Sequence, residues 1–113
     1  MFTIISDTTI RNKDLDVYHA IADGNRRKLL ELVSRREFSV QELVPHFDMT
    51  IGAISQHLKI LLANGLVTRR RQGRYRLYCS DPGPLKEVHD WTEQCRRLWE
   101  SRLDRLGDYL DET

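Results

Sequence analysis

The chain has 113 residues, enough for one hydrophobic core and too few for two ordinary domains. With 40% apolar and 31% charged residues its composition is that of a soluble globular protein, and no apolar run approaches the roughly 18 to 20 residues of a membrane helix. The net charge of +1 gives no hint of a polyanionic partner, but the distribution does: between Met49 and Ser80 there is no Asp or Glu, while Lys59, Arg69, Arg70, Arg71, Arg74 and Arg76 supply six cations. The other twelve basic residues share the rest of the chain with all 17 acidic ones, for a local net charge of −5. A basic segment on an acidic remainder is the electrostatic footprint of a nucleic-acid binder. Residues 1–10 lack the basic start and continuous apolar centre of a signal peptide, so a cytoplasmic location is expected. Cys79 and Cys95 form no Cys-x-x-Cys pair and are expected to be plain buried or half-buried thiols.

In chain order, residues 14–22 read as a short helix with Leu15, Tyr18, Ile21 and Ala22 on one side, ended by Asp23-Gly24. Asp23 is positioned to cap a second helix whose apolar side is Leu29, Leu30, Leu32 and Val33. Arg26 and Arg27 fall in its first turn, where positive charge is unfavourable, so each calls for a phosphate or a salt-bridge partner. Ser39 caps a third helix with Val40, Leu43, Val44 and Phe47 inward, and Pro45 must shorten or kink it.

After the tight connection 48–50, Thr50 caps a fourth helix running to about Asn64, with Gly65 closing it in the left-handed conformation. At helical spacing Ile51, Ile54, Leu58, Leu61 and Leu62 form its core side, and Gly52, Ser55, Gln56, Lys59 and Ala63 gather opposite. A small, polar, acid-free side suits a helix that lies against base edges in a groove. Beyond Gly65 the pattern alternates, with Gln72-Gly73 as the tip of a β-hairpin between residues 66–71 and 74–78. Residues 81–84 stop the hairpin, the prolines sitting where a helix's first turn tolerates them. The last helix, residue 85 to about 111, repeats apolar side chains at Leu85, Val88, Trp91, Cys95, Leu98, Trp99, Leu103, Leu106, Tyr109 and Leu110. That seam exceeds what a small domain needs to cover itself and reads as a dimer face.

Two helices joined by a short turn, the second polar outside and followed by a basic hairpin, make a winged helix-turn-helix. The expected fold class is therefore mainly α with a small β-hairpin (α+β) and about five helices. It divides into an extension at 1–13, a DNA-binding core at 14–84 and a dimerisation helix at 85–113. Ser55 and Gln56, with Thr50, are the candidates for reading bases; Lys59, Arg74 and Arg76 for phosphates; His57, at the edge of the core side, for packing or a phosphate. Arg69, Arg70 and Arg71 cannot all point one way along a strand, so one or two serve DNA and the remainder an internal acid. Tyr75 suits wing packing or a minor-groove contact equally.

Ala22-Asp23 with Arg26-Arg27, Ile54-Ser55-Gln56-His57-Leu58-Lys59-Ile60-Leu61, Gly65-Leu66-Val67 and Arg69-Arg70-Arg71-Gln72-Gly73-Arg74 resemble the ArsR family of bacterial repressors over roughly residues 16–82. The resemblance implies a homodimer built on the first and last helices, through Leu15, Tyr18, Val88, Trp91, Cys95, Leu98, Trp99, Leu103 and Leu106. It also implies a roughly palindromic double-stranded DNA operator with one recognition helix per half-site. Trp91, Trp99, Arg102-Leu103 and Tyr109-Leu110 resemble members without a metal site. The family's thiolate site, Glu-Leu-Cys-x-Cys, is here Glu42-Leu43-Val44-Pro45-His46, without either sulfur. Its last-helix site, an acid-x-His pair followed by His-x-x-acid, is half met by Glu87-Val88-His89, with Glu100 and Leu103 in the second half, short of a tetrahedral shell. No metal, cofactor, membrane or small-molecule substrate is expected, and His89 is read as solvated and paired with Glu93. The alternatives are a metal- or thiol-responsive sensor using His89, Glu93 and Cys95 on the last helix, or a winged-helix module for protein or RNA. An enzyme finds no phosphate loop, paired acids or nucleophile constellation.

Overall fold

The computed structural model describes residues 16–111. Leu15 and the 1–13 extension lie outside the described residues. Helix α1 is Val17–Ile21, capped by the Asp16 carboxylate on the Tyr18 amide, and α2 is Gly24–Arg35, where the Asp23 side chain accepts from the amides of Asn25 and Arg26. Burial pushes the Asp23 carboxyl up, and those two amides, with the nearby His57 and Arg26 side chains, outweigh it and hold the group below its usual value. Helix α3, Val40–Leu43, starts with a complete capping box in which the Ser39 hydroxyl accepts from the Glu42 amide and the Glu42 carboxylate from the Ser39 amide. Pro45 then acts as expected: the α-helix stops and a 3₁₀ turn, Val44–His46, follows.

Helix α4 is Ile51–Ala63, with Thr50 Oγ1 accepting from the Ala53 amide. It ends at Gly65, whose φ of 72° only glycine adopts at little cost. The Leu66 amide reaches the Leu61 carbonyl and the Gly65 amide the Leu62 carbonyl, the two bonds of a Schellman cap. Strands β1, Val67–Gln72, and β2, Tyr75–Ser80, pair antiparallel, and Phe38 bridges the free edge of β2 at Tyr78. Gln72 pairs with Tyr75, so the turn is Gly73-Arg74 rather than Gln72-Gly73. Gly73 has φ 61° and Arg74 no positive φ, which places glycine first in a type II′ turn matched to the strands' twist. The prolines also sit one step earlier than expected, in the turn before the last helix: the Pro82 and Gly83 carbonyls accept the amides of Leu85 and Lys86. Helix α5 is Leu85–Asp111.

The core gathers Leu29 and Val33 of α2, Leu43 of α3, Ile54, Leu58 and Leu61 of α4, and Leu66 and Val67 at the start of the hairpin, all nearly inaccessible. Full burial of such side chains contributes roughly 1.5–3 kcal/mol each, so α4 is fixed from one side by three anchors and leaves the other free. Ile51 departs from the expected core side, at 53% exposure. Helical side chains lean toward the N-terminus, and at the first position of α4 that direction leads past the end of the packed elements.

Candidate nucleic-acid interface

The hairpin register sorts the wing arginines by face. Arg69 pairs with Tyr78 and Arg71 with Arg76, on the same face as core residue Val67; Arg70 pairs with Leu77 on the reverse face. There Arg70 meets the internal acid expected for one of the three arginines. Its Nε and Nη2 each donate to Glu37, both at 2.7 Å, a bidentate fork across 33 residues of sequence. This leaves Arg70 a clamp that holds the wing to the segment before α3.

On the other face a groove of about 610 Å³ opens between α3, α4 and the wing. Ser55 and Lys59 line it from α4, Arg69, Arg74, Tyr75 and Arg76 from the wing, and Gln41 from α3, with no acidic side chain among the lining residues. Among the described residues no carboxylate pairs with Lys59, Arg69, Arg71, Arg74 or Arg76. Arg71 and Arg76 face each other directly across the strands, an arrangement that is destabilising until an anion sits between or above them. Thr50 and Gln56 are exposed on the same helix without lining the groove. His57 does not line it either: its Nδ1 lies 3.2 Å from Arg26 Nη1 and the ring is half-buried.

Among the described residues neither Arg26 nor Arg27 is bridged by a carboxylate. Arg26 donates to the carbonyls of Ala20 and His19, and Arg27 to that of Ile21, all at the C-terminal end of α1. Glu37 and Gln41 were missed in the sequence. Gln41 carried a usable signal, since it lies in the first turn of the helix preceding the recognition helix, whereas nothing local marks Glu37 as the partner of Arg70.

Because the Arg70 fork holds the Glu37 carboxyl below its usual range, the clamp is strongest when that carboxyl is ionised. A depressed folded-state value contributes stability above the ordinary Glu range of about 4.3 and loses it as pH falls through the lowered value. Glu42, held low by the Ser39 amide, moves the same way. Glu37→Gln is expected to leave helix content unchanged while broadening wing resonances at neutral pH, and wild type is expected to show the same broadening only in acid. Wing amide NMR checks both.

Along α5, Leu85 and Val88 pack against the core, and Tyr18 of α1 meets Trp91 edge-on at 5.7 Å between ring centres. Beyond this point Leu98, Trp99, Leu103, Leu106, Tyr109 and Leu110 are 47–65% exposed. Arg96 bridges Glu93 and Glu100, and Lys86 meets Asp90 at 2.8 Å. The ion pairs fall on the opposite side of the helix from the apolar seam. His89 faces Asp90 at 3.6 Å rather than Glu93, which Arg96 occupies. Cys79 is half-buried, but Cys95 is exposed, contrary to expectation, because it sits on this uncovered helix. Among the described residues no group of three His, Cys, Asp or Glu is arranged to hold a metal ion, and no helix is long and apolar enough to cross a membrane.

Recognition helix, preceding turn and basic two-stranded wing together define a winged helix-turn-helix protein. Residues 23–69 match the model of the bacterial regulatory protein, ArsR family. The chain is 38% identical over 90 residues to the HTH-type transcriptional regulator YuzN of Bacillus subtilis (strain 168), covering 73% of this chain and 97% of that one. It is 32% identical over 104 residues to the HTH-type transcriptional regulator Rv2034 of Mycobacterium tuberculosis (strain ATCC 25618 / H37Rv), covering 92% and 94%. The solved structure of an ArsR-like transcriptional regulator from Rhodococcus sp. RHA1 superposes with a TM-score of 0.72 at 26% identity, over 86% of this chain and 89% of that one. The chain belongs to the ArsR family: it is a DNA-binding transcriptional regulator and not an enzyme.

Proposed function

We propose that this protein is a cytoplasmic homodimeric repressor that binds a roughly palindromic operator, one α4 per half-site. The observation that carries the reading is the acid-free groove between α4 and the wing, with its uncompensated cations. In a winged helix the DNA strand separating the major from the minor groove has to pass between the recognition helix and the wing, where Lys59, Arg69 and Arg76 meet its phosphates. Ser55 and Gln56, with Thr50, then face base edges. Arg74 at the hairpin tip extends toward the minor groove, whose negative potential favours arginine. Residues 85–113 are the dimerisation segment, with α5 as its interface: Tyr18, Val88 and Trp91 begin the contact and Cys95, Leu98, Trp99, Leu103 and Leu106 continue it, which accounts for an apolar seam that a lone chain leaves in water.

The test is titration of the purified protein onto its own promoter duplex at two salt concentrations. Saturation is expected at two chains per duplex, with affinity falling on the order of 10³- to 10⁵-fold between 50 and 200 mM salt, as for six to ten phosphate contacts. Absence of binding in low salt would remove the proposal.

A further inference from the structure

Arg26 is a buried cation, 7% exposed, with no carboxylate bridge among the described residues. Burying a guanidinium is costly unless its donors are used, and here they are. Nε donates to the Ala20 carbonyl at 2.7 Å, Nη2 to the His19 carbonyl at 3.0 Å, and Nη1 points at His57 Nδ1 from 3.2 Å. A guanidinium only donates. For this contact to be a hydrogen bond His57 Nδ1 must accept, which requires the tautomer whose ring proton is on Nε2.

One side chain thus joins three elements. It leaves α2, closes on the last carbonyls of α1, and reaches the recognition helix one residue beyond Gln56. Helix α1 is in turn held to α5 by the Tyr18–Trp91 ring contact and by the Tyr18 hydroxyl donating to the Glu87 carbonyl at 3.4 Å. Arg27 repeats only part of this, since it donates to the Ile21 carbonyl from an exposed position and, among the described residues, makes no hydrogen bond to α4. The inward side chains of α4, Ile54, Leu58 and Leu61, hold it by apolar packing, which carries no directional bond.

We propose that Arg26 is a positioning residue for DNA reading: through His57 Nδ1 it sets the angle at which α4 presents Ser55 and Gln56, and it refers that angle to α1 and α5. The proposal rests on the DNA-reading role given to α4 above. His57 on this account acts as an internal acceptor and does not contact DNA.

The experiment uses full-length protein and a duplex recovered from a random pool. Arg26→Lys, His57→Ala, His57→Gln and the Arg26→Lys/His57→Ala pair are compared by affinity, salt slope and circular dichroism, and the wild-type imidazole is examined by ¹⁵N NMR. The wild-type spectrum is expected to show His57 unprotonated at Nδ1 and protonated at Nε2 at neutral pH. Arg26→Lys and His57→Ala are each expected to weaken binding by about tenfold or more, the value of a hydrogen bond to a charged group. Helix content and salt slope should not change, because no phosphate contact is lost. His57→Gln, which restores an oxygen acceptor, is expected to bind within about threefold of wild type, and the double variant to be no weaker than its weaker parent. A proton on Nδ1 in wild type overturns the proposal, as does wild-type affinity in His57→Ala. Arg76→Gln separates the two readings. If it weakens binding while the Arg26 and His57 variants do not, positioning fails alone; if it too is without effect, the DNA-reading role fails with it.

Discussion

If α5 forms the proposed dimer interface, Leu98→Asp combined with Leu106→Asp is expected to make the protein monomeric while leaving its helix-turn-helix intact. Both residues lie far out on α5, 65% and 54% exposed, and neither belongs to the core. In the single chain an aspartate there stays at the surface beside Arg102 and Arg105, so far-UV dichroism and thermal unfolding of the core change little. In a dimer the same carboxylates would be buried against apolar partners without compensation, a cost of several kcal/mol per group. Coupling between the two half-sites is then lost, and affinity for a two-half-site duplex falls on the order of 10²- to 10⁴-fold, the range that linking two binding events supplies. Sedimentation equilibrium and DNA titration of the same sample check both halves of the expectation. A variant that stays dimeric would move the interface away from α5.

The second large effect is expected from the groove. Replacing Lys59, Arg69 and Arg76 together by glutamine removes three cations that have no carboxylate partner among the described residues. In a dimer this amounts to about six phosphate contacts, so the slope of log K against log salt flattens by roughly 5, and affinity in low salt falls on the order of 10³-fold. Discrimination between sequences should survive in part, since Ser55 and Gln56 remain. Arg70→Gln is the internal contrast: its guanidinium is engaged with Glu37 on the reverse face, so the salt slope stays near that of wild type. If Arg70→Gln flattened the slope as much as Arg69→Gln, the assignment of wing faces would be wrong.

The contrast between Arg69 and Arg70 also shows where sequence reasoning reached its limit. Features decided within a few residues were legible. The Ser39 cap, the break imposed by Pro45, the Thr50 cap, the Gly65 terminus and the full course of α5 all depend on neighbours in the chain. Strand alternation alone predicted that one of the three consecutive arginines would meet an acid. Which arginine, and which acid, depended on the pairing of Phe38 with β2, a tertiary contact that brings Glu37 to Arg70 across 33 positions. The bond between Arg26 and His57 spans 31 positions and was invisible for the same reason: His57 was read for packing or a phosphate and Arg26 for a phosphate or a salt bridge, and neither reading named the other residue. Ile51 and the hairpin tip were misjudged by position at an element's end, where periodicity has the least context.

Operator recognition as proposed requires two copies of α4 reading two related half-sites. Selection of bound duplexes from a random pool, followed by determination of the number of chains on the recovered sequence, tests this most directly. The account predicts a consensus of two inverted half-sites occupied by two chains, whose affinity drops when either half-site is scrambled. Recovery of no enriched sequence, or of a single asymmetric site bound by one chain, would contradict it.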